Sequence, residues 1–341
     1  MMMRTVVLIG AMMMSALMPV QASSAEGAQP FRVYMALWRG CEDACKGFQA
    51  YFRDNQIPVE FTVRDAERDK TRLEGFVREA KETKPDLVVT WGTSVSRAML
   101  GAYDSTGMER YLTEIPVVFM IVADPVGAKI VRSYQSSGRK NITGTRNRAP
   151  VAVHMKAIRS YRPFRRIGMI YNANELNARL SIKDMRKVAQ EMEFELVEGE
   201  IPLGDDGKPL AASLPEVVAE IASRDVDFLY VGSSSFLSSK REEFTKLAIQ
   251  YNLPVVSGTE VFVTEAHGLL AIANRYYNVG QLAALQAKRV LVDHVAPDQL
   301  EIERLKRSSL IVNMDTARKL ALYPPMDILK YAELINAPQV D

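Results

Sequence analysis

Twice in this chain a short apolar run ends in a glycine followed by hydroxyl side chains. Asp86-Leu-Val-Val-Thr-Trp-Gly-Thr-Ser94 puts Thr93 and Ser94 after the glycine, and Asp227-Phe-Leu-Tyr-Val-Gly-Ser-Ser-Ser235 does the same with Ser233, Ser234 and Ser235. A helix opening at such a turn presents unpaired backbone N–H groups and the positive end of its dipole, which together hold an anion such as a carboxylate. Plain capping of the helix by a hydroxyl is the competing use. Having two such turns suggests two similar lobes facing one site.

Other side chains are candidates for the same site. Trp38, just past the first apolar run, offers a broad face for stacking and an N–H handle, whereas Trp91 reads as a wall or core residue. Asp124, in Ala-Asp-Pro, follows a strand end and either meets a ligand or caps the next turn. Asn172, with Glu175 and Asn177, follows Ile167–Tyr171, and an Asn amide supplies both donors and acceptors. Glu260 follows the Val255–Val256 run, and Arg275 has the fork geometry to clamp a carboxylate or to bridge lobes. The pairs Arg165-Arg166 and Lys306-Arg307 read as solvated faces.

Catalytic patterns are missing from the sequence. It has no Ser-His-Asp spacing and no phosphate-binding glycine loop, and His154, His267 and His294 are scattered without metal-ligand spacing. No catalytic residue, metal or cofactor is expected. Cys41 and Cys45 are four residues apart, so on one helix face their Cα atoms would lie about 6 Å apart, within disulfide reach. A local disulfide, two inert thiols, and metal or redox chemistry all remain open for this pair, although a metal would need further His or Cys ligands. A two-lobed racemase would want one thiol from each lobe, which this spacing denies.

The elements that must position these groups follow from periodicity. Phe31–Leu37, Val59–Val63, Leu87–Thr90 and Val117–Val122 read as strands, and Leu73, Phe76, Val77 and Ala80 mark an amphipathic helix over residues 70–81. The pattern restarts after Gly144, with strands at Ile167–Tyr171, Phe194–Ile201, Phe228–Val231 and Val255–Val256 and helices between them. Leu269–Ala273 is a further strand, Val279–Val292 a long helix and Leu310–Asn313 a late strand. Pro324-Pro325 opens a tail, 324–341, outside the core. Nearly continuous apolar strands alternating with helices predict an α/β protein of two doubly wound parallel-sheet lobes. The N-terminal lobe is expected to hold 31–147 plus 275–305, and the C-terminal lobe 148–274 plus 306–323. Hinge crossings are expected near Gly144–Arg148, Ala273–Arg275 and Leu305–Ser308. Ligands of doubly wound sheets bind beyond the carboxyl ends of the strands, here in an interlobe cleft.

Residues 1–22 have the form of a secretory signal peptide: Arg4, an apolar stretch from Val6 to Met18, then Pro19-Val20-Gln21-Ala22. The apolar stretch is short of the ~20 residues of a spanning helix. Removing it leaves about 319 residues of the 341, enough for two cores. A net charge of +2 provides no field for nucleic acid or a membrane surface.

An ordered set of segments resembles a known family. These are Lys84-Pro-Asp-Leu-Val-Val-Thr-Trp-Gly-Thr93, Ile115-Pro-Val-Val-Phe119, Ala123-Asp-Pro-Val-Gly127, Asn141-Ile-Thr-Gly144, Gly168-Met-Ile-Tyr-Asn-Ala-Asn-Glu-Leu-Asn177, Arg275-Tyr-Tyr-Asn-Val-Gly280 and Leu310-Ile-Val-Asn-Met-Asp-Thr-Ala317. Together they are similar to the periplasmic substrate-binding proteins of ABC importers, of the type related to tryptophan- and tyrosine-binding members. The resemblance implies a type I periplasmic binding fold, a monomer that closes on a small-molecule ligand in the periplasm, and delivery to an inner-membrane permease. A ligand-sensing subunit of a signalling receptor is the alternative role. The resemblance also supports Asn172 and Glu175 as ligand contacts. Two departures matter. Members commonly carry an acidic residue, pairing with a ligand amino group, in the loop held here by Ser233-Ser234-Ser235, and another where this chain has Arg275. Both changes disfavour an ammonium and favour an anion.

Overall fold

A computed structural model describes residues 29–337. The export segment expected at residues 1–22 lies outside the described residues. The apolar runs become buried strands joined by amphipathic helices. In chain order these are β1 (Phe31–Leu37), α1 (Asp43–Asp54), β2 (Val59–Asp65), α2 (Arg72–Thr83), β3 (Leu87–Trp91), α3 (Gly92–Leu100), β4 (Val117–Val122) and β5 (Ile142–Arg146). They form a five-stranded sheet in the order β2-β1-β3-β4-β5, with every pairing parallel.

The chain then lays down α4 (Val151–Tyr161), β6 (Arg166–Asn172), α5 (Leu176–Glu191), β7 (Glu195–Ile201), α6 (Leu214–Ala222), β8 (Phe228–Val231), α7 (Ser235–Ser239), α8 (Arg241–Gln250), β9 (Val255–Ser257), α9 (Val261–Thr264) and β10 (Leu270–Ala273). After α10 (Tyr276–Leu291) come β11 (Ser309–Asn313), α11 (Met314–Lys319), α12 (Met326–Leu329) and β12 (Ala332–Ile335). The second sheet runs β12-β11-β10-β9-β8-β6-β7. The expected pair of doubly wound lobes is therefore what the chain forms.

Three features differ from the sequence expectation. First, Ile142–Arg146, which the sequence reading did not assign to a strand, is an edge strand on β4, and α4 follows it. The strand is rich in Thr and Gly rather than Val and Ile, so no apolar run announces it. Second, β11 pairs antiparallel with β10, making the second sheet mixed. Third, residues 326–335, expected in a tail outside the core, are packed into the second lobe. Ile328 is buried and β12 extends the second sheet in parallel with β11. That strand is half exposed at an edge, so its composition lacks the apolar signature of a central strand.

α10 returns to the first core, where Val279, Ala283, Ala284 and Ala287 pack with β1 and β4 residues. Two glycines allow it to lie against α1. A Cβ on Gly47 would sit 2.1 Å from the Tyr277 carbonyl oxygen, and one on Gly280 would sit 2.0 Å from that of Ala44. This close approach seats the α10 N-terminus, and with it Tyr276, beside the end of β1. Cys41 and Cys45 form a disulfide with Cα atoms 5.1 Å apart. Cys41 precedes α1 and Cys45 lies in its first turn, so the bridge ties the β1–α1 loop to the helix.

Candidate functional site

Strand order decides which loops converge. In the first sheet the direction of winding reverses between β1 and β3, and in the second between β6 and β8. Beyond the carboxyl ends of those strands lie Trp38-Arg39 and Gly92-Thr93-Ser94 in one lobe, and Ala173–Asn177 and Ser233–Ser235 in the other. Such switch points open crevices for ligands. Here both open onto one cleft.

The cleft is lined by Trp38, Arg39, Trp91, Gly92, Thr93, Ser94, Ile121, Ala123 and Tyr276 on the first lobe. Asn177, Ser233, Ser234, Ser235, Ser238 and Thr259 line it on the second, with Asn147 between β5 and α4. Leu176 and Leu180 of α5 pack on the first core, so the lobes meet beside the cleft. Gly92 takes φ +84, the left-handed conformation that lets the chain turn sharply from β3 into α3. Ser96 and Thr90 share a buried hydrogen bond of 2.8 Å that seats α3 on β3. No side chain caps the α3 N-terminus. Its first N–H groups therefore have the orphan character expected of a helix start at the cleft wall.

Among the described residues, Arg39 is the only charged one in the lining. Its side chain is 7% exposed and donates from Nε to Glu42 Oε1 at 2.7 Å. The guanidinium carbon lies 4.9 Å from the Trp91 ring centroid, within cation–π range. Burial pulls its pKa down, but the hydrogen bond and charge of Glu42 outweigh that and leave it raised. Trp91 meets Tyr276 edge-on with centroids 6.3 Å apart, and burial pushes the Tyr276 hydroxyl up to about 12. That phenol is neutral at physiological pH. Acidic side chains near the cleft, Glu42 and Glu260, line an adjoining pocket instead. Ile121 adds a strained wall: a β-bulge in β4 leaves this β-branched residue at φ 56.

The family model for ABC transporter substrate binding protein matches residues 39–335. The chain belongs to this family. It is 24% identical over 299 residues to a tyrosine-binding protein of Clostridioides difficile, covering 85% of this chain and 80% of that one. Solved structures share the fold. One is a conserved domain protein from Vibrio cholerae, with TM-score 0.78, 23% identity and 90% and 99% of the two chains covered. Another is an ABC domain from Streptococcus pneumonia in complex with L-Trp, with TM-score 0.74, 18% identity and coverages of 89% and 99%. The fold is that of type I periplasmic binding proteins, and the chain is a substrate-binding protein rather than an enzyme. Among the described residues no helix is long and apolar enough to cross a membrane.

Within this substrate-binding protein, six sequence candidates line the cleft: Trp38, Thr93, Ser94, Ser233, Ser234 and Ser235. The other five do not. Asp124 accepts hydrogen bonds from the Gly127 backbone N–H and the Tyr134 hydroxyl, closing its own turn. Glu175 accepts from the backbone N–H of Ser235 at 2.8 Å and of Phe236 at 2.9 Å, placing its carboxylate on the first N–H groups of α7. Asn172 is fully buried beneath it, bonded to Asn174, Glu175 and Ser234. Glu260 accepts from the Tyr276 backbone N–H at the start of α10. Arg275 donates to Glu260 at 2.7 Å and to Glu333 on β12. The Arg275 guanidinium is thus held by two carboxylates and does not line the cleft.

Arg39, Asn147, Ile121, Ser238, Thr259 and Tyr276 were not anticipated as lining residues. Two carried a usable signal: Arg39 follows Trp38 at the end of β1, and Tyr276 follows Arg275 at a helix start. The others come near the cleft only through strand order and the β4 bulge.

Proposed function

We propose that this protein is a periplasmic receptor that captures a small organic carboxylate lacking an ammonium group and delivers it to the permease of an ABC importer. The observation that carries the reading is the charge of the cleft lining, which among the described residues holds one guanidinium, no Asp and no Glu. The relatives' names cite tyrosine and L-Trp, ligands with a carboxylate and an ammonium. In this chain the uncapped α3 N-terminus and Arg39 suit the first group. A buried ammonium without a countercharge would lose its hydration for no compensating partner.

The two lobes, residues 31–147 with 275–305 and 148–274 with the segment after 306, close on the ligand, and its greater affinity for the closed form drives closure. The N-terminal 22 residues direct export, and the exported chain begins at Ser23. Thermal shift of that mature chain tests the ligand class, because a ligand binding only the folded state raises its stability. Phenylpropionate and hydroxyphenylpropionate should raise the melting temperature more than phenylalanine and tyrosine, from which they differ by the ammonium. Equal or larger shifts with the amino acids would overturn the reading. Delivery is tested by uptake of a bound carboxylate, which should disappear when the gene is deleted.

A further inference from the structure

Three side chains at the cleft wall have buried polar atoms without a partner among the described residues: Nε1 of Trp38, Nε1 of Trp91 and Oδ1 of Asn147. Their residues are only 8%, 5% and 5% exposed, and all three line the cleft. Arg39 adds further donors, because its one hydrogen bond among the described residues leaves from Nε and goes to Glu42. Native proteins leave few buried polar groups unsatisfied, because each one costs the free energy of its lost hydration. An indole N–H only donates, so each of the two can be satisfied only by an acceptor. The cleft thus offers the α3 N–H groups, two indole N–H groups and the guanidinium of Arg39, whose Nε is paired with Glu42, and no carboxylate stands among the described lining residues.

One carboxylate cannot answer all of these. Its oxygens are engaged at the α3 N-terminus and Arg39 in the function proposed above, on which this inference rests. We propose that the ligand carries a second oxygen function, a hydroxyl or keto group on the same small skeleton, read by the indole N–H groups of Trp38 and Trp91. The two tryptophans are then specificity-determining residues, and the substrate class is hydroxy or keto acids rather than plain carboxylates. A hydroxyl fits better still, since it accepts from an indole and donates to Asn147 Oδ1. Trp91, Tyr276 and Trp38 supply aromatic surface for the rest of the skeleton. A Trp-to-Phe change removes the N–H while keeping an aromatic ring, so it separates reading from packing.

The test is calorimetric binding of matched acids to the mature protein and to Trp38→Phe and Trp91→Phe. The pairs are phenylpropionate with hydroxyphenylpropionate, and phenylpropionate with phenylpyruvate. In the unaltered protein at least one oxygen-bearing member should bind about tenfold tighter than the plain acid, the order of one net hydrogen bond. That ratio should fall to about one in at least one Trp-to-Phe variant, with both variants shown to be folded by their ligand-free melting transitions. A preference that survives in both variants overturns the inference, as does plain acid binding as tightly as its partners. If a variant fails to fold, the matched-pair ratio in the unaltered protein still decides. If none of these acids binds while amino acids do, the proposed function itself fails, which is a separate result.

Discussion

At the turn after β3, the α3 N-terminus has no side-chain cap and faces the cleft. At the turn after β8, Glu175 reaches across from the loop after β6 and accepts from both Ser235 and Phe236, while Ser234 Oγ caps Leu237 and Asn177 holds the Ser233 carbonyl. The two turns carry the same phrase of strand, glycine and hydroxyls, yet one is open and the other is filled by the protein's own carboxylate. The difference teaches where a ligand anion goes. The second lobe has satisfied its helix start internally, so its serines offer only hydroxyls to the ligand. The first lobe alone presents free N–H groups and a guanidinium.

The comparison can be strained hardest through pH, because the second lobe rests on a buried pair that includes a titratable histidine, whereas the buried pair under α3 in the first joins two hydroxyls. His154 Nδ1 lies 2.6 Å from the Tyr230 hydroxyl under β8, and burial depresses the histidine from 6.5 to about 3, with Arg148 adding to the effect. The unfolded chain therefore binds a proton that the folded chain refuses, and stability is lost as pH falls from 6.5 toward 3. The slope from this group is about 1.4 kcal/mol per pH unit inside that window. Urea unfolding at several pH values should show a shallower slope in His154→Phe; an unchanged slope would show that another group carries it.

Next in size are paired substitutions, one at each turn. Arg39→Ala should weaken a bound carboxylate by on the order of 1.5–3 kcal/mol, the range for a hydrogen bond to a charged group. Glu175→Ala should instead lower folding stability by about 1.5–3 kcal/mol, by stripping the α7 N–H groups of their acceptor. Calorimetry and denaturation on both variants would reverse the assignment of the lobes if the effects came out exchanged. The smallest effect is expected at Arg275→Ala, which should leave ligand affinity within about twofold and cost about 1 kcal/mol of stability, as for a partly exposed pair. A large loss of affinity there would return Arg275 to the site.

Much of this was legible in the sequence because strands buried on both faces must be continuously apolar. Phe31–Leu37, Val117–Val122 and Phe228–Val231 have the same ends in the structure as in the sequence reading, and β2 and β3 end two residues and one residue later than read. Elements whose composition is not apolar were missed. The Thr-rich β5 and the half-exposed β12 owe their existence to the neighbouring strand that pairs with them. The site divides the same way. Thr93, Ser94 and Ser233–Ser235 are found from local grammar, since a helix start after a strand must lie at a sheet's carboxyl edge.

Residue type and spacing, then, determined two winding α/β units, two hydroxyl-bearing turns and a family. They also determined that the second turn lacks an acidic residue of its own. Only tertiary structure decided that Glu175 would be spent on that turn, that Arg275 would be held by Glu260 and Glu333, and that Arg39 would be the one charge at the cleft. The first two outcomes pair groups far apart in the chain, and the third depends on which loops the strand order brings together. A charged side chain binds whichever partner the fold brings within hydrogen-bond range, and its residue type alone does not name that partner.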